Sequence, residues 1–495
     1  MDSHSSQHPM QGMKQRGGTR SMGDMGHPYS EARFRMLETH HKQTLWVYWT
    51  LILFGVWMLV APFTFGSHSA LVQPAGGRSV WLSLEQRATA MLWSDLFSGF
   101  LLLIFGWRSL TPNRPYSLWI CCFTGIWLTL APILFWAPKA VLYLNDTFIG
   151  AWVIALTVLI AGMPNMMLYM EMGASMPSGW TYNPSSWPQR WIMIVTGFLG
   201  WIVSRYLAAY QLGYTGMMWD PFFEGSASRV LTSDLSRSLP VSDAGLGAIA
   251  YTFECLMGFM GGPARWRTMP WMVTFFGILV IPLGLVHILL VISQPVVVGA
   301  WCTFCLLAAA IMLPMIPLEV DEVVAMGQYL ARVRRRGDSL WKAFWKGGPE
   351  EEQQHEESMH EAPELLALPQ KTSEVLKASF WGFSLPWNLI LTSLVGLWLI
   401  FSPMVFQPDP KGTELLQVLG LLTITFSVLA MGEVIRSCRY LNVILGLGLA
   451  SIPFVLNTAG SLRIHNIAVG LAIALLSIPK GKIEERYGTW QRWIL

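Results

Sequence analysis

The sequence predicts an all-α, polytopic integral membrane protein with about twelve transmembrane helices in three groups of four. Hydrophobic residues make up 53% of the chain and charged residues only 13%, whereas a soluble domain carries about 25% charged residues. Apolar runs recur near the ~20 residues that a helix needs to cross a bilayer. Basic residues follow every second run, as in a chain that crosses a membrane repeatedly. The net charge of +3 gives no sign of nucleic-acid binding, so the expected environment is a lipid bilayer.

The elements follow in order from the N-terminus. The first 43 residues are polar and lack the apolar core of a signal peptide, so we expect a disordered cytoplasmic tail. The expected spans are 44–65, 88–107, 116–136, 147–170, 191–214, 246–261, 271–292, 296–318, 385–406, 415–433, 440–456 and 464–478. They divide the chain into a tail 1–43, a membrane module 44–170, a four-helix domain 186–318, a linker 319–380, a second module 381–479 and a cytoplasmic tail 480–495.

The linker 319–380 changes charge along its length. A basic run at 332–336 is followed by an acidic run at 350–352. This composition predicts a cytoplasmic amphipathic helix on the membrane surface, followed by a flexible acidic linker.

The basic residues also predict the orientation of the chain. They precede the first span and follow every even-numbered span, including the cluster after the eighth. Because basic loops stay in the cytoplasm, we expect both termini to be cytoplasmic. The eighth span then begins on the outer face, and we expect the membrane to be a bacterial cytoplasmic membrane.

A cysteine pair lies near the start of the eighth span. Cys302 and Cys305 are three residues apart, which places both thiols on one face of a helix. Such a pair can cycle between dithiol and disulfide, so it is a candidate redox centre. Two packed thiols or a static disulfide are the alternative interpretation. No zinc site is expected, because a single Cys-x-x-Cys lacks two of the four ligands of a structural site.

An internal repeat links the first and third groups of helices. The motif Gly-x-Trp-x-x-x-x-Pro occurs at 55–62, 125–132 and 396–403, and a degenerate copy without Trp lies at 446–453. Each copy is followed by a span with a glycine in its outer half, namely Gly99, Gly150, Gly420 and Gly470. Small residues permit close helix packing. The pattern resembles the SPW-repeat membrane proteins, although Ser-Pro occurs only at Ser402-Pro403 and no Trp follows it.

The middle group resembles the vitamin K epoxide reductase family over about residues 190–318. The resemblance rests on four spans, a long outside loop after the first, and the run from Gln294-Pro295 to Cys302-Thr303-Phe304-Cys305. It implies a membrane quinone, of ubiquinone or menaquinone type, next to Cys305, with Cys302 facing the thiol relay.

The chain departs from that family in the outside loop. Members usually carry two further cysteines there, but residues 216–245 contain none. The resemblance therefore implies that an outside partner, such as a thioredoxin-like protein, delivers electrons to Cys302 directly.

Other polar residues could serve the same centre. His287 lies about two turns before Gln294 and could hydrogen-bond a quinone oxygen, or simply join two helices. We expect Glu254 to pair with Arg205 rather than to relay protons. The segment 219–223 is expected to anchor the outside loop at the membrane interface and could cap the thiols.

Two other functions remain open. The protein could be a non-catalytic scaffold that keeps the fold without the relay. It could instead handle copper, because the tail is rich in Met and His and a Met cluster lies at 163–170.

Overall fold

The computed structural model describes residues 38–494 apart from 67, 113, 161–174, 351–371 and 456–459. The α-helices are α1 Leu45–Phe65, α2 Leu84–Ser109, α3 Pro115–Leu134, α4 Ala140–Ile160, α5 Trp187–Gln211, α6 Ser226–Leu231, α7 Asp234–Arg237, α8 Asp243–Gly258, α9 Arg265–Thr268, α10 Pro270–Ser293, α11 Thr303–Arg335, α12 Leu340–Lys346, α13 Thr372–Ala378, α14 Trp387–Phe406, α15 Pro410–Met431, α16 Arg439–Val455, α17 Gly460–Ser477 and α18 Gln491–Ile494. Within these residues, eleven helices are long and apolar enough to cross a membrane. The all-α, polytopic membrane class is confirmed.

The sixth span expected from the sequence is shorter than the eleven long apolar helices. It is helix α8, which has 16 residues and is about 24 Å long at 1.5 Å per residue. A bilayer core is about 30 Å thick. Helix α8 nevertheless packs along α5, as a member of the four-helix domain should.

The repeated glycines bring pairs of helices into backbone contact. A Cβ added at Gly99 would lie 2.8 Å from the carbonyl oxygen of Gly55, and one added at Gly150 would lie 2.7 Å from that of Gly125. The second module repeats this contact between Gly396 and Gly420 and between Gly446 and Gly470. The predicted role of these glycines in close helix packing is confirmed.

The tryptophans of the repeat join helices by hydrogen bonds. The indole of Trp57 on α1 donates to Asn145 on α4 at 2.7 Å. In the second module Trp398 on α14 donates to His465 on α17 at 3.0 Å. The two modules therefore share the bond between their first and fourth helices as well as the glycine contacts.

Helix α11 crosses the boundary that we expected between domain and linker. It continues from Thr303 to Arg335 without interruption, so residues 319–335 extend a membrane helix rather than form a separate surface helix. Glu319, Asp321 and Glu322 on this extension are buried. The acidic stretch 351–371 lies outside the described residues.

The start and end of α11 mark two ends of the molecule, which we call the thiol end and the opposite end. At the opposite end, Glu322 forms a buried ion pair with Arg265, and their Oε1 and Nε atoms are 2.6 Å apart. Tyr182 donates a hydrogen bond to Asp321 at 2.6 Å. The C-terminal segment packs here too, with Tyr487 fully buried.

Candidate functional site: the Cys302–Cys305 centre

The cysteine pair lies at the first turn of α11. Cys302 is the N-cap residue of the helix, with extended backbone angles, and Cys305 lies in the first turn. The two residues form a disulfide, with Cα atoms 5.2 Å apart. The backbone N–H of Cys305 also donates to Sγ of Cys302 at 3.2 Å. The Cys302 sulfur atom therefore lies at the N-terminal end of α11, where a backbone N–H points toward it.

A tight turn before α11 sets the position of Cys302. Helix α10 ends in one π-helical turn, Gln294–Val298, and Gly299 then adopts a left-handed conformation with φ of 62°. Glycine has no Cβ and accepts this conformation without strain. The turn directs the buried Gln294 side chain back to the site, where its Oε1 accepts a hydrogen bond from the Cys302 N–H at 3.2 Å.

The long loop between α5 and α8 covers the cysteines, and we call residues 214–242 the lid. The buried Asp220 is its main attachment to α11, because its carboxylate accepts a hydrogen bond from the Thr303 hydroxyl. The same carboxylate accepts the backbone N–H groups of Phe223 and Ala227, each at 3.2 Å. One side chain therefore fixes both the shape of the lid and its contact with the helix.

Further contacts hold the lid against the residues around the cysteines. The Ser226 hydroxyl donates to the carbonyl of Trp301 at 2.7 Å and accepts its N–H at 3.0 Å. The ring of Phe304 packs against Trp219 with a centroid distance of 5.9 Å. The exposed fraction is 0% for Cys302 and 9% for Cys305. The lid therefore seals the disulfide, and Cys302 more completely than Cys305.

The segment 219–223 does contribute to the cap over the site, whereas its anchoring at the membrane interface stays a prediction. The side chains of Trp219 and Phe222 are 67% and 79% exposed, as expected for interface anchors. Asp220, between them, is the residue that caps the site.

The His287 side chain lies beside the cysteine pair. Its ring lies on α10 and interacts with the backbone of Cys305. The structure therefore brings together all three site residues expected from the sequence.

The expected pair of Glu254 and Arg205 is wrong. Arg205 points to the first module, where it donates to the Thr147 hydroxyl at 2.9 Å and lies over the ring of Tyr143. Glu254 is fully buried, and within the described chain neither of its carboxyl oxygens has a hydrogen-bond partner. The sequence predicts that both residues lie within membrane helices, but it does not predict the direction in which each side chain points.

The first module braces the lid. The indole of Trp136, between α3 and α4, donates to the carbonyl of Pro240 at 3.0 Å. Arg237 of the lid donates to the carbonyl of Gly76 at 2.7 Å, and Arg78 lies over the Trp136 ring at 4.6 Å. Residues from outside the four-helix domain thus contact the lid of the site.

Several contributors to the site were missed from the sequence. In the sequence, Gln294 is recognisable only as part of a motif, and no pattern marks Ser226 as a site residue. Both are ordinary polar residues whose partners lie 8 and 75 residues away. Their only sequence signal is proximity to a proline or glycine turn.

The described residues give no geometric support for a metal site. No group of three or more His, Cys, Asp or Glu side chains within them could hold a metal ion. The Met/His-rich tail and the Met cluster at 163–170 lie outside the described residues.

Comparison with known families agrees with this architecture. Residues 191–320 match the model of the vitamin K epoxide reductase family, and residues 386–479 match the model of the SPW repeat domain. Neither a curated protein nor a solved structure matches the chain. The first match contains the whole cysteine centre and its lid, and the second contains helices α14 to α17.

Proposed function

We propose that residues 191–320 form a membrane thiol–disulfide oxidoreductase that couples the Cys302–Cys305 pair to a membrane quinone. The observation that carries the proposal is the Cys-x-x-Cys disulfide at a helix N-terminus, inside a segment that matches the vitamin K epoxide reductase family. The family match favours thiol–disulfide chemistry, and the geometry supplies a pair that can perform it.

The reaction has two balanced half-reactions. In the first, the Cys302 and Cys305 thiols form the S–S bond and give up two electrons and two protons. A bound quinone would accept both, becoming a hydroquinone. In the second, a dithiol on a partner protein reduces the Cys302–Cys305 disulfide and is itself oxidised to a disulfide.

The surroundings of Cys305 suit a quinone. Cys305 belongs to an apolar cluster that includes Leu207, Val291 and Ala308, which suits a ring that is soluble in lipid. The His287 ring beside Cys305 could donate a hydrogen bond to a quinone oxygen. Cys305 is also the more exposed of the two cysteines, so it is the one assigned to the quinone.

Cys302 is assigned to the thiol partner. It lies directly under the lid, and a partner that displaces the lid would reach this sulfur atom first. The lid must open for a partner to reach it, because Cys302 is fully buried. We infer that the thiol end faces the outside, where a thioredoxin-like protein could dock, and that both termini are cytoplasmic.

Thiol trapping on the purified full-length protein tests this function. The protein would be placed in lipid nanodiscs, reduced, freed of reductant and then given a soluble ubiquinone or menaquinone analogue. We expect Cys302 and Cys305 to become resistant to a maleimide label only when the quinone is present. Cys302→Ser and Cys305→Ser should leave the remaining thiol of the pair reactive. Cys255→Ser, which removes a cysteine outside the pair, should behave like the wild type.

The opposite result favours a scaffold. A pair that stays reduced, or that oxidises at the same rate without quinone, would exclude quinone-linked catalysis. A disulfide that resists reductant in the folded protein in nanodiscs would indicate a static brace.

A further inference from the structure

Two aspartates occupy equivalent positions in the two halves of the first module. Asp95 on α2 lies four residues before Gly99, and Asp146 on α4 lies four residues before Gly150. Both glycines make the repeated backbone contact described above. Both aspartates have an exposed fraction of 0%, and their carboxyl groups lie within interaction distance of each other. The repeat thus brings two acids together inside a membrane-spanning bundle.

The protein supplies few donors to this pair. The Asn145 amide donates to one oxygen of Asp146 at 3.0 Å. Among the described residues, no N–H or O–H group donates to either oxygen of Asp95 or to the second oxygen of Asp146. Two ionised carboxylates at hydrogen-bond distance repel strongly where water is excluded. A single shared proton removes the repulsion and provides the hydrogen bond.

The charged and titratable groups nearby lie on several elements. They are Arg87 on α2, Tyr143 on α4, Arg205 on α5 and Tyr214 just beyond α5. Helices α1 and α3, which complete the module, contain no charged residue. Arg205 is held by Thr147, the residue next to Asp146, so the pair adjoins α5, the first helix of the four-helix domain.

The second module shows that the helix packing does not require the acids. The equivalent positions, four residues before Gly420 and Gly470, are Leu416 and Asn466. The glycine contacts and the tryptophan hydrogen bond are nevertheless the same. The acid pair is therefore an addition to a scaffold that also exists without it.

We propose that Asp95 and Asp146 form a proton-binding site within the membrane, in which the two carboxyl groups hold one shared proton. Ser94 and Ser98, which flank Asp95 on α2, line a groove of about 640 Å³ between α2 and α3. The Ser98 hydroxyl is buried and has no partner within the described chain. Ser98 therefore places an unpartnered hydroxyl one helical turn from Asp95. The site is separate from the cysteine chemistry.

Infrared spectroscopy of the full-length protein in nanodiscs tests the site directly. A proton-bearing carboxyl group gives a carbonyl band that shifts in heavy water. We expect Asp95→Asn to remove the band of the pair, because its amide donates to Asp146 and no proton has to be shared. Glu254→Gln is the control, since it removes a different buried carboxyl and should leave that band in place. An Asp95→Asn spectrum identical to the wild type would overturn the proposal.

The pH dependence of stability gives a second, independent readout. The folded protein keeps a proton that the unfolded chain releases, so wild-type stability should fall as pH rises past the loss of that proton. The variant Asp95→Leu/Asp146→Asn copies the second module and should fold without this fall. An unchanged pH profile would contradict the proposal. If the double variant does not fold, the Asp95→Asn spectrum decides.

Discussion

At the scale of single residues, Asp220 joins the lid to the helix that carries the cysteine centre. It accepts hydrogen bonds from Thr303 on α11 and from Phe223 and Ala227 within the lid. A carboxylate that accepts several hydrogen bonds is hard to replace, because each bond to a charged group contributes about 1.5–3 kcal/mol. A neighbouring acid, Glu224, is exposed and has no comparable role.

Asp220→Ala should loosen the lid and expose the disulfide. If it lowers the free energy of lid opening by about 2 kcal/mol, a membrane-impermeant phosphine should reduce Cys302–Cys305 at least tenfold faster. The rate can be followed by trapping the freed thiols. Glu224→Gln should react at the wild-type rate, and equal rates for all three proteins would show that the lid does not limit access.

At the scale of helices, the position of a glycine decides how closely two helices pack. Gly446 on α16 contacts the backbone of Gly470, and a Cβ there would lie 2.5 Å from its carbonyl oxygen. Gly448, two residues along the same helix, has no atom within 4 Å of such a Cβ. Helix α16 therefore contains both a critical glycine and a matched control.

Gly446→Ala should destabilise the second module by about 1–3 kcal/mol, because the two backbones must separate. Gly448→Ala should be neutral or slightly stabilising, since alanine is the better helix former. Thermal unfolding in detergent measures both. Equal losses for the two variants would contradict the close-packing role of the Gly446–Gly470 contact.

The sequence predicted the parts of this protein whose signal is local. Cys302 and Cys305 are recognisable by spacing alone, and the glycine repeat by its recurrence. The lid contact between Asp220 and Thr303 joins residues 83 positions apart, and no local pattern encodes it. The expected Arg205–Glu254 pair failed for a related reason, because residues at similar depth can point to different neighbours. The sequence did not show which side chains distant along the chain contact each other in the fold.

At the scale of the whole molecule, the first module and the four-helix domain are joined at the thiol end. Trp136 donates to Pro240 of the lid, whereas the similar indole of Trp127 donates to Ser94 within the module at 2.9 Å. The first bond connects the module to the lid, and the second does not.

Trp136→Phe should therefore affect the cysteine centre from a distance. It keeps the ring but removes one hydrogen bond, worth about 1 kcal/mol, so the disulfide should be reduced about fivefold faster by the same phosphine. Trp127→Phe should leave that rate unchanged. A wild-type rate in Trp136→Phe would mean that the module does not brace the lid.

The opposite end depends on a buried ion pair. Glu322→Gln should destabilise the protein by about 3–5 kcal/mol, because it leaves the Arg265 charge buried without its partner. Glu484→Gln breaks the exposed pair with Lys482 and should change stability by less than about 1 kcal/mol. Unfolding in denaturing detergent compares the two, and similar losses would contradict the structural importance of the Arg265–Glu322 pair.

The unequal burial of the two cysteines has a kinetic consequence for the proposed enzyme. Both cysteines belong to one apolar cluster, but only Cys302 is completely buried beneath the lid. In the proposed enzyme, each sulfur atom would serve a different substrate. Each substrate would leave as product before the other reacts, which gives a ping-pong pattern of parallel lines in double-reciprocal plots. Neither substrate would compete with the other for its site. An excess of quinone would then not act as a competitive inhibitor against the thiol partner.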